Sequence, residues 1–290
     1  MPHLFCFGLG YTATALGREL LQEGWKVSGT CQRDDRRWEL TSLGFDAVIF
    51  DGSNHSNEVV ALLNSATHIL QSIAPAKDGD VVFDLFGQDI AARAAQIEWM
   101  GYLSTTAVYG DRQGGWVDEM SELLPQMPRG AWRVAAEKQW RSLHDTNDLA
   151  VHIFRLAGIY GPGRNQLKKL REKKARRIVR KGQLFSRIHV DDIVATLRAS
   201  IDRANPGAIY NVCDNEAAPP QDVIEYAAGL LGIDVPPAEP FEKADLSEMA
   251  RSFYSESKKV SNEKIKTDLG VELKFPTYRE GLRSLECGFD

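Results

Sequence analysis

Four apolar residues, Leu4-Phe5-Cys6-Phe7, run straight into Gly8-Leu9-Gly10-Tyr11-Thr12-Ala13. Nothing else in the chain restricts its fold as tightly. After the glycines, Ala13, Leu16, Gly17, Leu20 and Leu21 recur at helical spacing and Gly24 follows as a stop. The pattern reads as strand, tight turn and amphipathic helix. In such a turn the first glycine permits the bend, and the second lets backbone amides approach a pyrophosphate. Ala13 keeps helix and strand close, and the helix N-terminus favours negative charge. Gly8, Gly10, Tyr11 and Thr12 are therefore candidate contacts for a dinucleotide. A glycine turn that serves packing alone is the alternative.

Lys26–Thr30, Ala47–Phe50, His68–Ile73 and Gly101–Thr105 read as further buried strands, with helical patterns near 55–65 and 84–99. Strands alternating with helices predict an α/β fold, a Rossmann-type doubly wound parallel sheet with its ligand at the strands' carboxyl ends. Beyond residue 111 a loop leads to a helix over 132–146, a strand over Val151–Ala157 and the turn Gly161-Pro162-Gly163. A basic helix-like segment over 164–181, a helix over 190–202 and a strand over Ala208–Val212 follow. The expected division is a nucleotide-binding domain over 1–158, with 186–213 returning to it, and a smaller substrate-binding lobe over 159–290.

Composition narrows the classes. Thirty-five Lys and Arg against forty Asp and Glu give a net charge of −5, which argues against nucleic acid as a partner. No apolar stretch reaches the length of a spanning helix, and Met1-Pro2-His3-Leu4 lacks the basic start of a signal peptide. A cytoplasmic location without membrane association is expected. Cys6, Cys31, Cys213 and Cys287 lie far apart with no CxxC pair, and the six histidines show no ligand spacing. Reduced structural thiols and no metal site are expected.

The end of the second strand bears on cofactor choice. An Asp or Glu there would bond an unphosphorylated ribose. Here the strand runs into Cys31-Gln32-Arg33, with Arg36 and Arg37 close behind. A 2′-phosphate suits such a cluster, so NADP(H) is the expected cofactor, Arg33 a candidate contact, and NAD(H) the alternative.

Four ordered motifs carry a resemblance. They are the glycine turn, Ser104-Thr105-Thr106-Ala107-Val108-Tyr109-Gly110, Arg155-Leu156-Ala157-Gly158-Ile159-Tyr160-Gly161-Pro162-Gly163 and Ile188-His189-Val190-Asp191-Asp192. Together they resemble the extended short-chain dehydrogenase/reductase family, also called the NAD-dependent epimerase/dehydratase family. The resemblance implies that Asp51 meets the adenine and that Ile73, Ala74 and Pro75 line the cofactor. It places Thr105 where the family keeps the Ser or Thr that hydrogen-bonds the reacting carbonyl or hydroxyl.

The catalytic pair departs from the family. Its members carry Tyr-x-x-x-Lys ahead of a small-residue and Glu segment. Aligning on Ala135-Ala136-Glu137 puts Arg129 at the Tyr position and Arg133 at the Lys position. A guanidinium stays protonated and cannot relay a proton, although Arg133 could hold ribose hydroxyls or a phosphate. Thr106-Ala107 stands where sugar dehydratases of the family carry an acidic pair. Thr105, Tyr109 and Arg133 are the remaining catalytic candidates. Tyr109 and Tyr160 equally suit packing, and His189 with Asp191-Asp192 suits a helix N-cap with acids favourable to its dipole. Glu119 stands on a loop that could fold over the cofactor. From Gly163 to Gly182 ten basic residues face one acid, Glu172, so Arg164 and its neighbours are candidates for an anionic substrate.

These readings converge on an NAD(P)-binding oxidoreductase or epimerase acting on an anionic or sugar-like small molecule. A non-catalytic NADP-binding sensor is the rival, and oligomeric state is left open.

Overall fold

The computed structural model describes residues 1–286; Cys287 lies outside the described residues. The first stretch alternates β1 (His3–Phe7), α1 (Tyr11–Gln22), β2 (Lys26–Cys31), α2 (Asp34–Ser42), β3 (Asp46–Ile49), α3 (Asn57–Leu63), β4 (His68–Gln71), α4 (Val81–Ala92) and β5 (Trp99–Thr105). Next come β6 (Trp116–Val117), α5 (Pro128–Asn147), β7 (Val151–Leu156), β8 (Gly158–Tyr160), α6 (Gln166–Arg171), β9 (Arg177–Val179), β10 (Arg187–His189), α7 (Val190–Asp202) and β11 (Ile209–Val212). The last stretch holds α8 (Pro220–Leu230), β12 (Ala238–Pro240), α9 (Glu248–Phe253), β13 (Lys259–Val260), α10 (Glu263–Leu269) and α11 (Tyr278–Ser284).

Seven strands form one sheet in the order β11-β7-β5-β4-β1-β2-β3. β1 pairs parallel with β2 and with β4, β2 with β3, and β4 with β5. The chain thus lays β2 and β3 on one side of β1, then crosses back to lay β4 and β5 on the other. That reversal opens a crevice at the carboxyl ends of β1 and β4, the place where doubly wound sheets take ligands. The fold is the expected α/β doubly wound sheet.

The chain makes two compact units. Met1–Val108, Pro128–Arg155 and Val194–Tyr210 form the first; Tyr109–Met127, Leu156–Ile193 and the chain from Asn211 onward form the second. In the first, all five residues of β1 are buried, and Phe5, Phe7, Ile69, Phe86, Met100 and Trp140 share one core. Asp80 organises one edge of that core. Its carboxylate caps α4 by accepting from Val82 N and Phe83 N, and it also accepts from Gln71 Nε2 and Trp140 Nε1 at 2.9 Å each. In the second unit Tyr160, Leu167, Val223, Ala227, Tyr278 and Leu282 share a smaller core. There a capping box of Thr277 and Glu280 opens α11. Among the described residues no helix is long and apolar enough to cross a membrane.

Two local expectations need correction. α5 begins at Pro128, four residues before the expected start, because proline's fixed φ and missing N–H suit a first helical position. The basic run over 164–181 is not one helix: α6 covers six residues, Lys173 turns left-handed at φ 56°, and β9 follows.

Candidate functional site

The site of the first unit is built on the turn between β1 and α1. Gly8 has φ 85°, and a Cβ there would lie 2.9 Å from Ile73 Cγ1 and 3.1 Å from Ser72 Oγ, so only glycine fits. A Cβ at exposed Gly10 would meet nothing within 4 Å. The backbone turns tightly at Gly8 and faces open space at Gly10, as a cradle for a bulky anion requires. α1 starts without a side-chain cap and without an acid in its first turn, an end whose dipole favours negative charge. Tyr11 is half-buried at the helix start, and Thr12 is buried behind it.

Three residues hold this turn, of which sequence reasoning singled out only Arg36, and that as part of a phosphate-binding cluster. Thr30 Oγ1 accepts from Gly8 N at 2.8 Å, and Ser72 Oγ donates to Gly8 O at 2.6 Å. Arg36 Nη2 donates to Leu9 O at 3.3 Å and to Thr14 Oγ1 at 2.9 Å. All three sit at strand or helix ends whose convergence requires the folded sheet, and no local pattern marks these bonds. The cradle suits the phosphates of a dinucleotide, with Gly8, Gly10, Tyr11 and Thr12 as the residues that would hold them.

The remaining candidates of the first unit lie at the ends of its strands. Arg33 is exposed beyond β2 and paired with Asp35 at 3.0 Å; Asp34 is paired with Arg37 at 2.9 Å. Asp51 is exposed beyond β3. Its Oδ1 accepts from Ser53 N and Ser53 Oγ, bonds that hold the carboxyl below its ordinary range. Ile73 and Pro75 are half-buried after β4, with Ala74 exposed between them. Thr105 is half-buried at the end of β5 and accepts from Ala107 N at 3.3 Å. Arg133, half-buried on α5, donates through Nη1 to Leu103 O and to Tyr102 OH at 3.5 Å. One turn further along α5, buried Glu137 accepts from Ser104 Oγ at 2.5 Å and from Arg155 Nη2 at 2.7 Å.

In the second unit, Tyr109 is fully buried and its hydroxyl donates to Asn211 Oδ1 at 2.7 Å. Asn211 N in turn donates to Glu119 Oε1 at 2.7 Å, which ties the 116–121 loop to β11. Burial pushes the Glu119 carboxyl above its usual range. His189 accepts from Asp191 N at 3.2 Å at the start of α7, with Asp191 and Asp192 in the first turn. Arg164 is exposed in the turn before α6. Three of the ten bases of the run are paired with acids: Arg176 with Glu239, Arg177 with Glu225, and Lys174 with Glu172. A cavity of about 440 Å³ in this unit is lined by Trp116, Asp118, Ser121, Asp214, Asn262 and Lys266 among others.

Asp214 is the most perturbed acid. It is buried, its Oδ2 has no hydrogen-bond partner, and burial pushes its carboxyl up to about 8. The folded chain therefore keeps a proton that the unfolded chain releases above roughly pH 4. Stability is expected to fall as pH rises from there toward 8. In Asp214→Asn that slope should flatten, as urea midpoints measured across pH will show; an unchanged slope would assign the loss to other groups.

Comparison with known proteins follows the same lines. A conserved protein of unknown function from Silicibacter pomeroyi DSS is 51% identical, with a TM-score of 0.90, covering 99% of this chain and 98% of that one. Protein YeeZ of Escherichia coli (strain K12) is 27% identical over 289 residues, covering 95% of this chain and 97% of that protein. The dTDP-glucose 4,6-dehydratase of Bacillus anthracis str. Ames, solved in complex with NAD, shares the fold at a TM-score of 0.80 and 17% identity, covering 99% and 96%. Residues 8–213 match the model of the NAD dependent epimerase/dehydratase family, a span that takes in the glycine cradle, Thr105 and the segment of α5 facing β5. The chain belongs to the NAD dependent epimerase/dehydratase family.

Proposed function

We propose that the protein is an NADP(H)-dependent oxidoreductase or epimerase acting on a small polar, anionic or sugar-like substrate. The observation that carries this reading is the open cradle at Gly10, set against an uncapped helix start. When bound, the nicotinamide would supply or accept the hydride. Thr105 would orient the reacting carbonyl or hydroxyl from the end of β5. Asp51 would meet the adenine, and Ile73, Ala74 and Pro75 would line the dinucleotide. Arg133, anchored on Leu103 O, would hold ribose hydroxyls or a phosphate. Tyr109, bonded to Asn211, would position the loop after Thr105 rather than donate a proton.

Preference for the phosphorylated cofactor rests on the end of β2. Cys31 is buried and neutral there, and the two nearest acids are both paired with arginine. NADPH is therefore expected to bind more tightly than NADH. A charge-assisted bond to phosphate is worth about 1.5–3 kcal/mol, so Arg33→Ala should cost NADPH on the order of ten- to 150-fold in affinity and leave NADH little changed. Calorimetric titration of both cofactors checks this. Equal affinities in the parent chain would sink the preference, and absence of binding by either would sink the function.

One observation favours a second reading. On the alignment through Ala135-Ala136-Glu137, Arg129 and Arg133 would take the places of the family's catalytic Tyr and Lys, and neither guanidinium can exchange a proton. A sensor that binds NADP(H) without turnover would need no such exchange. Cofactor binding without hydride transfer to any carbonyl or sugar substrate would favour the sensor.

A further inference from the structure

We propose that Arg129 and Arg133 form a paired receptor for an oxyanion of the substrate, a carboxylate or a phosphate. The proposal rests on the functional reading above and names the group by which that site would select its substrate.

The argument starts from spacing. Arg129, Arg133 and Glu137 stand four residues apart on α5, so they line one face of the helix on successive turns. Two of the three show which way that face looks. Glu137 meets Ser104 Oγ at 2.5 Å, and Arg133 reaches the carbonyl of Leu103 and lies with its guanidinium carbon 5.8 Å from the centre of the Tyr102 ring. Both contacts fall on the last residues of β5, immediately before Thr105. Arg129 lies one turn nearer the start of the helix on that same face.

Charge decides what this face can bind. Glu137 does not neutralise the arginines, because Arg155 and Ser104 already hold it. No acid stands in the first turn of α5. Arg129 is exposed, and its side chain makes no hydrogen bond or ion pair with any described residue. Arg133 donates to Leu103 O and Tyr102 OH through Nη1 alone, which leaves its Nε and Nη2 donors outside those bonds. Two permanent cations about one helical turn apart, one of them anchored on the end of β5, therefore stand without a counterion among the described residues. Guanidinium forks match the geometry of carboxylate and phosphate oxygens, and such charge-assisted pairs are the strong ones. A face that a proton-relaying pair would otherwise occupy is thus equipped for recognition.

The test uses the full chain labelled with 15N-arginine, with and without NADPH. The Nε–Hε signals of Arg129 and Arg133, assigned through R129Q and R133Q, are followed while malonate, inorganic phosphate and uncharged malonamide are added in turn. Malonate or phosphate should move both signals along one binding curve, and malonamide should move neither. A stronger response to malonate assigns a carboxylate, and a stronger response to phosphate assigns a phosphorylated group. In R129Q the anion should bind at least tenfold more weakly, whereas NADPH affinity, titrated separately, should change less than twofold. Silent signals, movement of Arg133 alone, or an equal response to malonamide would each overturn the proposal. If NADPH binds and the arginines stay silent, only this inference falls. If NADPH fails to bind, the functional reading falls instead.

Discussion

Glu137→Gln is expected to lower stability by about 3–5 kcal/mol, the cost of leaving one member of a buried ion pair without its counter-charge. The side chains of Glu137 and Arg155 are each only 3% exposed. Arg155 Nε donates to both carboxylate oxygens at 3.1 and 3.3 Å, Nη2 donates to Oε2 at 2.7 Å, and Ser104 donates to Oε1. A glutamine keeps the shape but offers one acceptor in place of two, and it carries no charge against the guanidinium. The double variant Glu137→Leu with Arg155→Met removes both charges and should recover most of the loss, because apolar replacements of a buried pair are often neutral or stabilising. By contrast, removing the exposed pair Lys174–Glu172 should leave stability little changed. Urea midpoints at constant slope measure all three. A single-variant loss no larger than the surface pair's would mean that water compensates Arg155, and that the pair does not hold α5 to β5 and β7.

The contrast between buried and surface charge also separates what the sequence discloses from what it hides. β1 and the glycine turn are legible because their physics is local: an apolar run buried on both faces, then a backbone conformation that only glycine adopts freely. α2 escapes the apolar pattern because only Leu40 of its nine residues is buried. First-turn acids and the pairs Arg37–Asp34 and Arg36–Glu39 support that helix instead. The basic run misleads for the opposite reason. Its charges find partners such as Glu225 and Glu239, remote in sequence, so a local count of arginines overstates the free positive charge. At the candidate site, motif spacing locates Thr105, Tyr109 and Glu137, but not what they touch. That Tyr109 is bonded to Asn211, or that Glu137 answers Arg155, depends on strands brought together by the fold.

Simple aldehydes, ketones and common nucleotide sugars are expected to be turned over very slowly or not at all by a protein that nonetheless binds NADPH. A phenol that donates its proton during hydride transfer is worth roughly 10²–10⁴-fold, and on the alignment through Ala135-Ala136-Glu137 this chain would carry Arg129 in its place. The guanidinium can neither give up that proton nor recover it at neutral pH. Tyr109 does not fill the gap, since its hydroxyl is buried and bonded to Asn211. On the proposed reading Thr105 alone keeps a suitable side chain at a family catalytic position, and its hydroxyl would align a carbonyl without supplying a proton to the product. The proton must then come from water or from the substrate's own groups, which favours a substrate carrying its own acid. On such a substrate Thr105→Ala should reduce turnover by about 10²-fold or more, the scale of losing one positioned hydrogen bond to the reacting oxygen. Tyr109→Phe should cost much less. A panel of carbonyl and sugar-nucleotide substrates followed at the NADPH absorbance band decides the matter. Robust turnover of generic ketones would show that another acid completes the site. Silence across the panel together with tight NADPH binding would shift the reading to the sensor, for then the two arginines would mark chemistry that the fold has given up while its cradle is kept.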